Sequence, residues 1–167
     1  MATGSEIGNL AAELVGFLQE KGLTVATAES CTGGAVSAAV TSVAGCSSVM
    51  LGGVVAYSNS VKANVLGVDE AVLAENGAVS EPVVRQMVAG VAALLGADCA
   101  VATSGIAGPG GGTPEKPVGT VWIAAKVGAS VRVKLLDTGS ASREYNIGAS
   151  VMEALSLLLG MLKGDGL

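Results

Sequence analysis

Histidine is absent from the 167 residues. Without it the chain cannot assemble a Ser-His-Asp triad, a Cys-His pair, an HExxH zinc site or an imidazole proton shuttle. Any catalysis must draw on Ser, Thr, Cys, Lys, Tyr, Arg or a carboxylate. Aromatics are scarce, being only Phe17, Tyr57, Trp122 and Tyr145. The core must therefore be Val, Ala, Leu and Ile, packed closely with the help of 25 glycines, and there is no aromatic platform on which bases could stack. Charged residues make up only 14%, and the net charge of −5 opposes a phosphate-backbone footprint. Nucleic acid is not an expected partner. A composition that is 50% hydrophobic excludes a disordered tail, and the length favours one domain over residues 1–167.

Three cysteines, Cys31, Cys46 and Cys99, are odd in number and lack CxxC spacing. That suits a reducing cytoplasm and argues against a disulfide framework or a zinc site. Cys46 and Cys99 read as small buried hydrophobes. The N-terminus carries Glu6 and Glu13 and has no basic region followed by an apolar run, so no signal peptide is expected. The stretch from Cys31 to Val61 has no charge and is long enough to span a bilayer. Gly33-Gly34, Gly45 and Gly52-Gly53 break it, so it reads as helix, loop and strand inside a soluble core. A cytosolic protein without membrane contact is expected.

Apolar spacing predicts a helix over 6–21, ended by Gly22, then a strand over 24–28. A small-residue helix reaches about residue 43, a second strand covers 51–57, and short helices cover 59–66 and 69–75. Ser80 and Pro82 read as cap and first turn of a helix running to residue 95. A strand over 98–103 leads into a Gly/Pro loop over 104–117. Antiparallel strands over 118–126 and 130–136 follow, and a long helix over 143–162 closes the chain. The alternation predicts an α/β fold, a three-layer α/β/α sandwich with a mixed sheet.

Three segments carry candidate chemistry. Glu29-Ser30-Cys31-Thr32-Gly33-Gly34 joins a strand to a helix, placing Ser30 beside free N–H groups that can hold an oxyanion or phosphate. The plainer reading is that Ser30 or Thr32 caps the helix. Glu29 either orients the turn, faces a cationic ligand ring, or is buried on a backbone hydrogen bond. Cys31 is an alternative nucleophile that would need Lys62 or the helix dipole to become a thiolate. In Tyr57-Ser58-Asn59-Ser60-Val61-Lys62, the lysine is the only cation between Lys21 and Arg85. It is either the base for Ser30, desolvated in an apolar pocket, or an ordinary solvated helix residue. Ser104-Gly105-Ile106-Ala107-Gly108-Pro109-Gly110-Gly111-Gly112 fits neither a Walker A loop nor GxGxxG, but can present N–H groups to a phosphate.

Taken together, Thr27 to Gly34, Tyr57-Ser58-Asn59, Gly77-Ala78-Val79-Ser80, Ser104 to Pro109 and Lys116 to Val121 resemble the CinA C-terminal domain family, in order and over essentially the whole chain. The resemblance implies a nicotinamide-nucleotide amidohydrolase, which converts nicotinamide mononucleotide and water to nicotinate mononucleotide and ammonia. Some members of the family carry an added N-terminal domain linked to ADP-ribose pyrophosphatase activity; that activity is not carried over. Where the family often has Gly-Asp-Arg and a second arginine, this chain has Ser142-Arg143 and no second arginine, leaving Arg143 as the one phosphate clamp expected there.

On this reading Ser30 attacks the carboxamide carbon and neutral Lys62 takes its proton. The N–H groups of Thr32 and Gly33 hold the oxyanion, each such donor being worth about 3 kcal/mol. Tyr57 polarises Lys62 or holds the carboxamide. Glu29, Ser104, Gly105, Gly108 and Arg143 complete the nucleotide site. Neither cofactor nor metal is expected. The high apolar fraction points to a homodimer or larger assembly. The alternatives are a non-catalytic nucleotide-binding or interaction module, and a phosphohydrolase requiring Mg²⁺.

Overall fold

Side chains alternate across a strand, so each strand of a central sheet divides its residues between two helix layers. In the computed structural model, which describes residues 4–164, that division is asymmetric. Val25 of β1 (Val25–Glu29), Cys99 and Val101 of β3 (Cys99–Gly105), and Val121, Ile123 and Ala125 of β4 (Thr120–Val127) face one side. There they meet α1 (Gly4–Lys21), α2 (Ala35–Thr41) and α6 (Arg143–Lys163). The opposite face is nearly all alanine: Ala26, Ala28, Ala100, Ala102 and Ala124. These short side chains admit α5 (Glu81–Leu95), whose Val83, Val84, Met87, Val88 and Val91 are fully buried. Scarcity of aromatics is answered here by close approach of a helix rather than by bulk.

Two further strands, β2 (Met50–Val55) and β5 (Ser130–Asp137), complete a five-stranded sheet in the order β2-β1-β3-β4-β5. The β1 pairings with β2 and β3 are parallel, whereas β3–β4 and β4–β5 are antiparallel. This is the mixed α/β/α sandwich expected. The connection from β1 to β2 runs through α2 on one face. The return to β3 passes through α3 (Asn59–Leu66), α4 (Glu70–Asn76) and α5 on the other. The two crossovers part on either side of β1, at the point in an α/β sheet where a crevice opens beyond the carboxyl ends of the strands.

Several local expectations change. After β1 the chain makes a turn over 30–34 before α2 starts at Ala35, and a 3₁₀ turn, Cys46–Ser48, precedes β2. Ser80 occupies the N-cap position of α5 as expected, but its side chain makes no cap bond; its hydroxyl donates to the Gly77 carbonyl at 2.8 Å. Cys99 is buried, but Cys46 is only half-buried. The uncharged 31–61 stretch forms the turn, α2, β2 and the start of α3. The helix long and apolar enough to cross a membrane by length and composition is α6, which packs on β3, β4 and α1.

Gly90 marks where α5 meets the end of α3. A Cβ built there would lie 1.9 Å from the Leu66 carbonyl oxygen, which is backbone and has no rotamer to move. Gly90→Ala is expected to lower the unfolding free energy by about 1–3 kcal/mol, the range for overpacking, seen as a lower midpoint in urea.

Candidate active site

The three parallel strands end at one level: Glu29 pairs with Val55 on one side and with Thr103 on the other. Immediately beyond them lie Ser30, Ala56 and Ser104, and above these opens a cavity of about 300 Å³. Ser30 is held by its own N–H, which donates to the Thr103 carbonyl at 3.0 Å. Lys62 reaches it from α3. That helix starts where the Ser58 hydroxyl accepts from the Val61 N–H, so Lys62 sits on its first turn.

Lys62 is 1% exposed and is the largest fully buried side chain. Its Nζ donates to Ser30 Oγ at 3.0 Å, to the Ala56 carbonyl at 2.9 Å and to the Tyr57 carbonyl at 3.4 Å. Burial pushes the amine below its ordinary value of 10.5. No carboxylate lines the cavity to offset that, and the other cation there is Arg143. An ordinary solvated lysine is thereby ruled out. Cys31, beside Ser30, is 6% exposed, and burial pushes its thiol up to about 12. Burial thus works against the thiolate that Cys31 would need as the alternative nucleophile.

Glu29 does not face the cavity. Its carboxylate is 1% exposed and accepts from the N–H groups of Gly34 (3.1 Å), Val36 (3.0 Å) and Ser37 (2.8 Å). It also accepts from the hydroxyls of Thr32 (2.6 Å) and Ser37 (2.9 Å). The Thr32 proton is thus committed to Glu29, so the 2.7 Å contact with Thr103 must have Thr103 as donor. Five donors and the α2 dipole stabilise the buried charge. This corrects two expectations: Glu29, not Ser30 or Thr32, caps α2, and it does so as a positioning residue rather than by touching substrate.

Thr32 and Gly33 also lie off the cavity wall, and the Gly33 N–H donates to the Ser30 carbonyl at 3.0 Å. A donor already satisfied within the turn is not free for an oxyanion. Of the turn, only Ser30 and Cys31 line the cavity. Tyr57 contacts Lys62 through its main-chain carbonyl; its phenol oxygen accepts from Arg143 Nη2 at 3.0 Å. Direct polarisation of Lys62 by the phenol is therefore not what the geometry provides.

The opposite wall brings together Ser104, Gly105, Gly108 and Arg143, as expected from the sequence. The Ser104 hydroxyl donates to the Ala78 carbonyl at 2.7 Å, and Arg143 Nη1 donates to the Gly108 carbonyl at 3.0 Å. Gly108 adopts φ +86°, and a Cβ there would lie 2.4 Å from Val118 Cγ1. Lys116 anchors the far end of this loop, donating to the Asn76 carbonyl at 2.7 Å. Asn59, part of a candidate segment in the sequence but given no role there, also lines the cavity. It stands three positions before Lys62, a spacing that puts both on one helix face. Among the described residues, no three His, Cys, Asp or Glu side chains gather as a metal site.

Two outcomes follow from these buried charges. Glu29→Gln turns an amide NH₂ toward N–H donors and is expected to lower stability by about 3 kcal/mol, measured by denaturant titration. For Lys62 the folded form releases its proton at lower pH than the unfolded form, so between that lowered value and 10.5 the unfolded chain binds more protons. Stability of the wild type relative to Lys62→Met should therefore rise with pH through that window and level off above it. Thermal midpoints taken across the pH range check this; a difference independent of pH would contradict a desolvated lysine.

Residues 7–162 match the CinA C-terminal domain family. Among curated relatives, a CinA-like protein of Thermotoga maritima is 48% identical over 151 residues, covering 90% of this chain and 36% of that protein. One from Synechococcus sp. is 55% identical over 121 residues, covering 72% of this chain and 29% of the relative. The chain thus spans about a third of the length of these relatives. Solved structures align more fully. The competence/damage inducible protein CihA from Agrobacterium tumefaciens is 42% identical with a TM-score of 0.90, covering 94% of this chain and 95% of that one. The competence damage-inducible protein ComA from Klebsiella pneumoniae is 38% identical with a TM-score of 0.91, covering 96% and 99%. Agreement over nearly every element that builds the cavity makes this chain a member of the CinA C-terminal domain family.

Proposed function

We propose that this protein hydrolyses the carboxamide of nicotinamide mononucleotide, giving nicotinate mononucleotide and ammonia, with Ser30 as nucleophile and Lys62 as its base. The observation that carries the reading is the 3.0 Å contact between Lys62 Nζ and Ser30 Oγ, made in a buried setting that favours the neutral amine. Two of the three groups around Nζ are carbonyls, which only accept. In the neutral amine the two N–H bonds serve Ala56 and Tyr57, and the lone pair is left for the Ser30 proton. Geometry and the downward direction of the amine's shift both support this role.

As Ser30 Oγ bonds to the carboxamide carbon, its proton passes to Lys62. The resulting ammonium then donates a proton to the departing nitrogen, and ammonia leaves as the C–N bond breaks. Water enters the vacated position and gives a proton to Lys62. It attacks the acyl ester, and Ser30 recovers its hydrogen as nicotinate mononucleotide departs. Because Gly33 is committed, this reading gives the oxyanion to the N–H of Cys31, the residue of the turn that lines the cavity beside Ser30. Arg143 and the glycine loop suit the ribose and phosphate, an anion entering a cavity lined by the Arg143 guanidinium and by no carboxylate.

Ser30→Ala and Lys62→Met are each expected to reduce ammonia release by about 10²–10⁴-fold or more, with folding intact by circular dichroism. Wild-type activity should rise with pH through the lowered Lys62 value, since only the neutral amine takes the proton. The measurement is ammonia formed from nicotinamide mononucleotide, set beside the thermal shift produced by the same ligand. A shift without ammonia would identify a nucleotide-binding module instead; phosphate release dependent on Mg²⁺ would identify a phosphohydrolase. Full ammonia release by Ser30→Ala would remove the nucleophile.

A further inference from the structure

Asn146, on the first turn of α6, is not among the residues lining the cavity and belongs to none of the chemistry above, yet it is 0% exposed and uses every polar atom of its amide. Nδ2 donates to the Ala107 carbonyl at 2.9 Å and to the Ser140 carbonyl at 2.9 Å, while Oδ1 accepts from the Thr138 hydroxyl. Because main-chain carbonyls only accept, the amide must turn its nitrogen toward Ala107 and Ser140, and its orientation follows. A single buried side chain therefore ties together the loop after β3, the connection over 138–142, and α6.

Arg143 lies three residues earlier on the same helical turn and grips the next carbonyl of the loop, that of Gly108. Consecutive peptide groups are thus held from one turn of α6. A trans peptide is planar, with its C=O and N–H pointing in opposite directions. With the Ala107 carbonyl drawn inward to Asn146, the Gly108 N–H points the other way, and Gly108 lines the cavity. The following residue, Pro109, has no N–H to offer. Glycine alone fits at 108, where φ is +86° and Val118 leaves no room for a Cβ.

We infer that Asn146 is a positioning residue for substrate binding: by fixing the Ala107 carbonyl it aims the Gly108 N–H into the cavity, as a donor to an anionic oxygen of the bound nucleotide. The inference rests on the hydrolase reading for its substrate, but concerns ground-state binding rather than the Ser30–Lys62 chemistry. Loss of the clamp should therefore act on KM and leave kcat in place.

The experiment compares wild type, Asn146→Ala, the nearly isosteric Asn146→Asp and Thr138→Val. Asn146→Asp turns a carboxylate toward two carbonyls, and it carries the test if Asn146→Ala does not fold. Thr138→Val removes one partner of the amide and the acceptor of the Ser140 N–H, but leaves the Nδ2 bond to the Ala107 carbonyl. With nicotinamide mononucleotide, KM should rise about tenfold or more on losing Asn146, as expected for losing a hydrogen bond to a charged group, with kcat within about twofold. Thr138→Val should stay near wild type in both. An unchanged KM, an equal fall in kcat, or an equal effect of Thr138→Val would overturn the inference.

Calorimetric titration of nicotinamide mononucleotide into Ser30→Ala, with and without Asn146→Ala, repeats the comparison without turnover. Weaker binding on losing Asn146, in a protein that releases no ammonia as wild type, would fail the hydrolase reading alone. Equal binding in an active enzyme would fail Asn146 alone, and absence of binding by Ser30→Ala would overturn both.

Discussion

An amine buried without a carboxylate beside it is the constraint around which this structure is arranged. Placing Lys62 among main-chain carbonyls leaves it hydrogen-bonded yet short of a counter-charge. A carboxylate in contact would hold the proton on and oppose the downward shift that burial imposes. Glu29 is the acid nearest in sequence to Ser30, and both Glu29 and Lys62 act electrostatically on Cys31. The N-terminus of α2 resolves the conflict by engaging Glu29 with five donors on the far side of the turn. One strand end thus holds two buried ionisable groups with separate solutions, a helix terminus for the acid and carbonyls for the base.

Sheet topology makes that separation possible. The crossovers from β1 to β2 and from β2 to β3 run on opposite faces of the sheet, so α2 gathers Glu29 from one side while α3 delivers Lys62 from the other. Alanine on the α5 face of the sheet and glycine at position 90 let α5 and the end of α3 settle close. Packing density here is thus tied to the position of the base, as well as to stability.

Element positions were legible because their signals are local. Apolar spacing reveals α1, α5 and α6, and Gly67, Gly96 and Gly128 lie where helices or a hairpin turn. Lys62 and Arg143 were legible as scarce cations, and Ser30 and Ser104 as hydroxyls beside glycine-rich turns. What stayed hidden depends on main-chain direction or on distant partners. Whether Gly33 offers its N–H depends on a turn closed by the Ser30 carbonyl, and Tyr57 serves Lys62 through an atom that every residue possesses. Asn146 meets Ala107 across a separation of 39 residues. In sequence it is an unremarkable amide near a helix start, with nothing local to distinguish it from a solvated one. Glu29 lay between these cases: burial on a backbone bond was foreseen as one option, but the number of donors was not.

The Ser30–Lys62 contact joins two residues 32 positions apart, one on the end of a strand and the other on the helix that begins the opposite crossover. Neither has a local reason to find its partner. The pair exists only when both crossovers are docked and α3 is seated on α5. On the proposed reading, and unlike a nucleophile activated within its own loop, Ser30 would have no competence in a partly assembled chain, so turnover would report completed assembly.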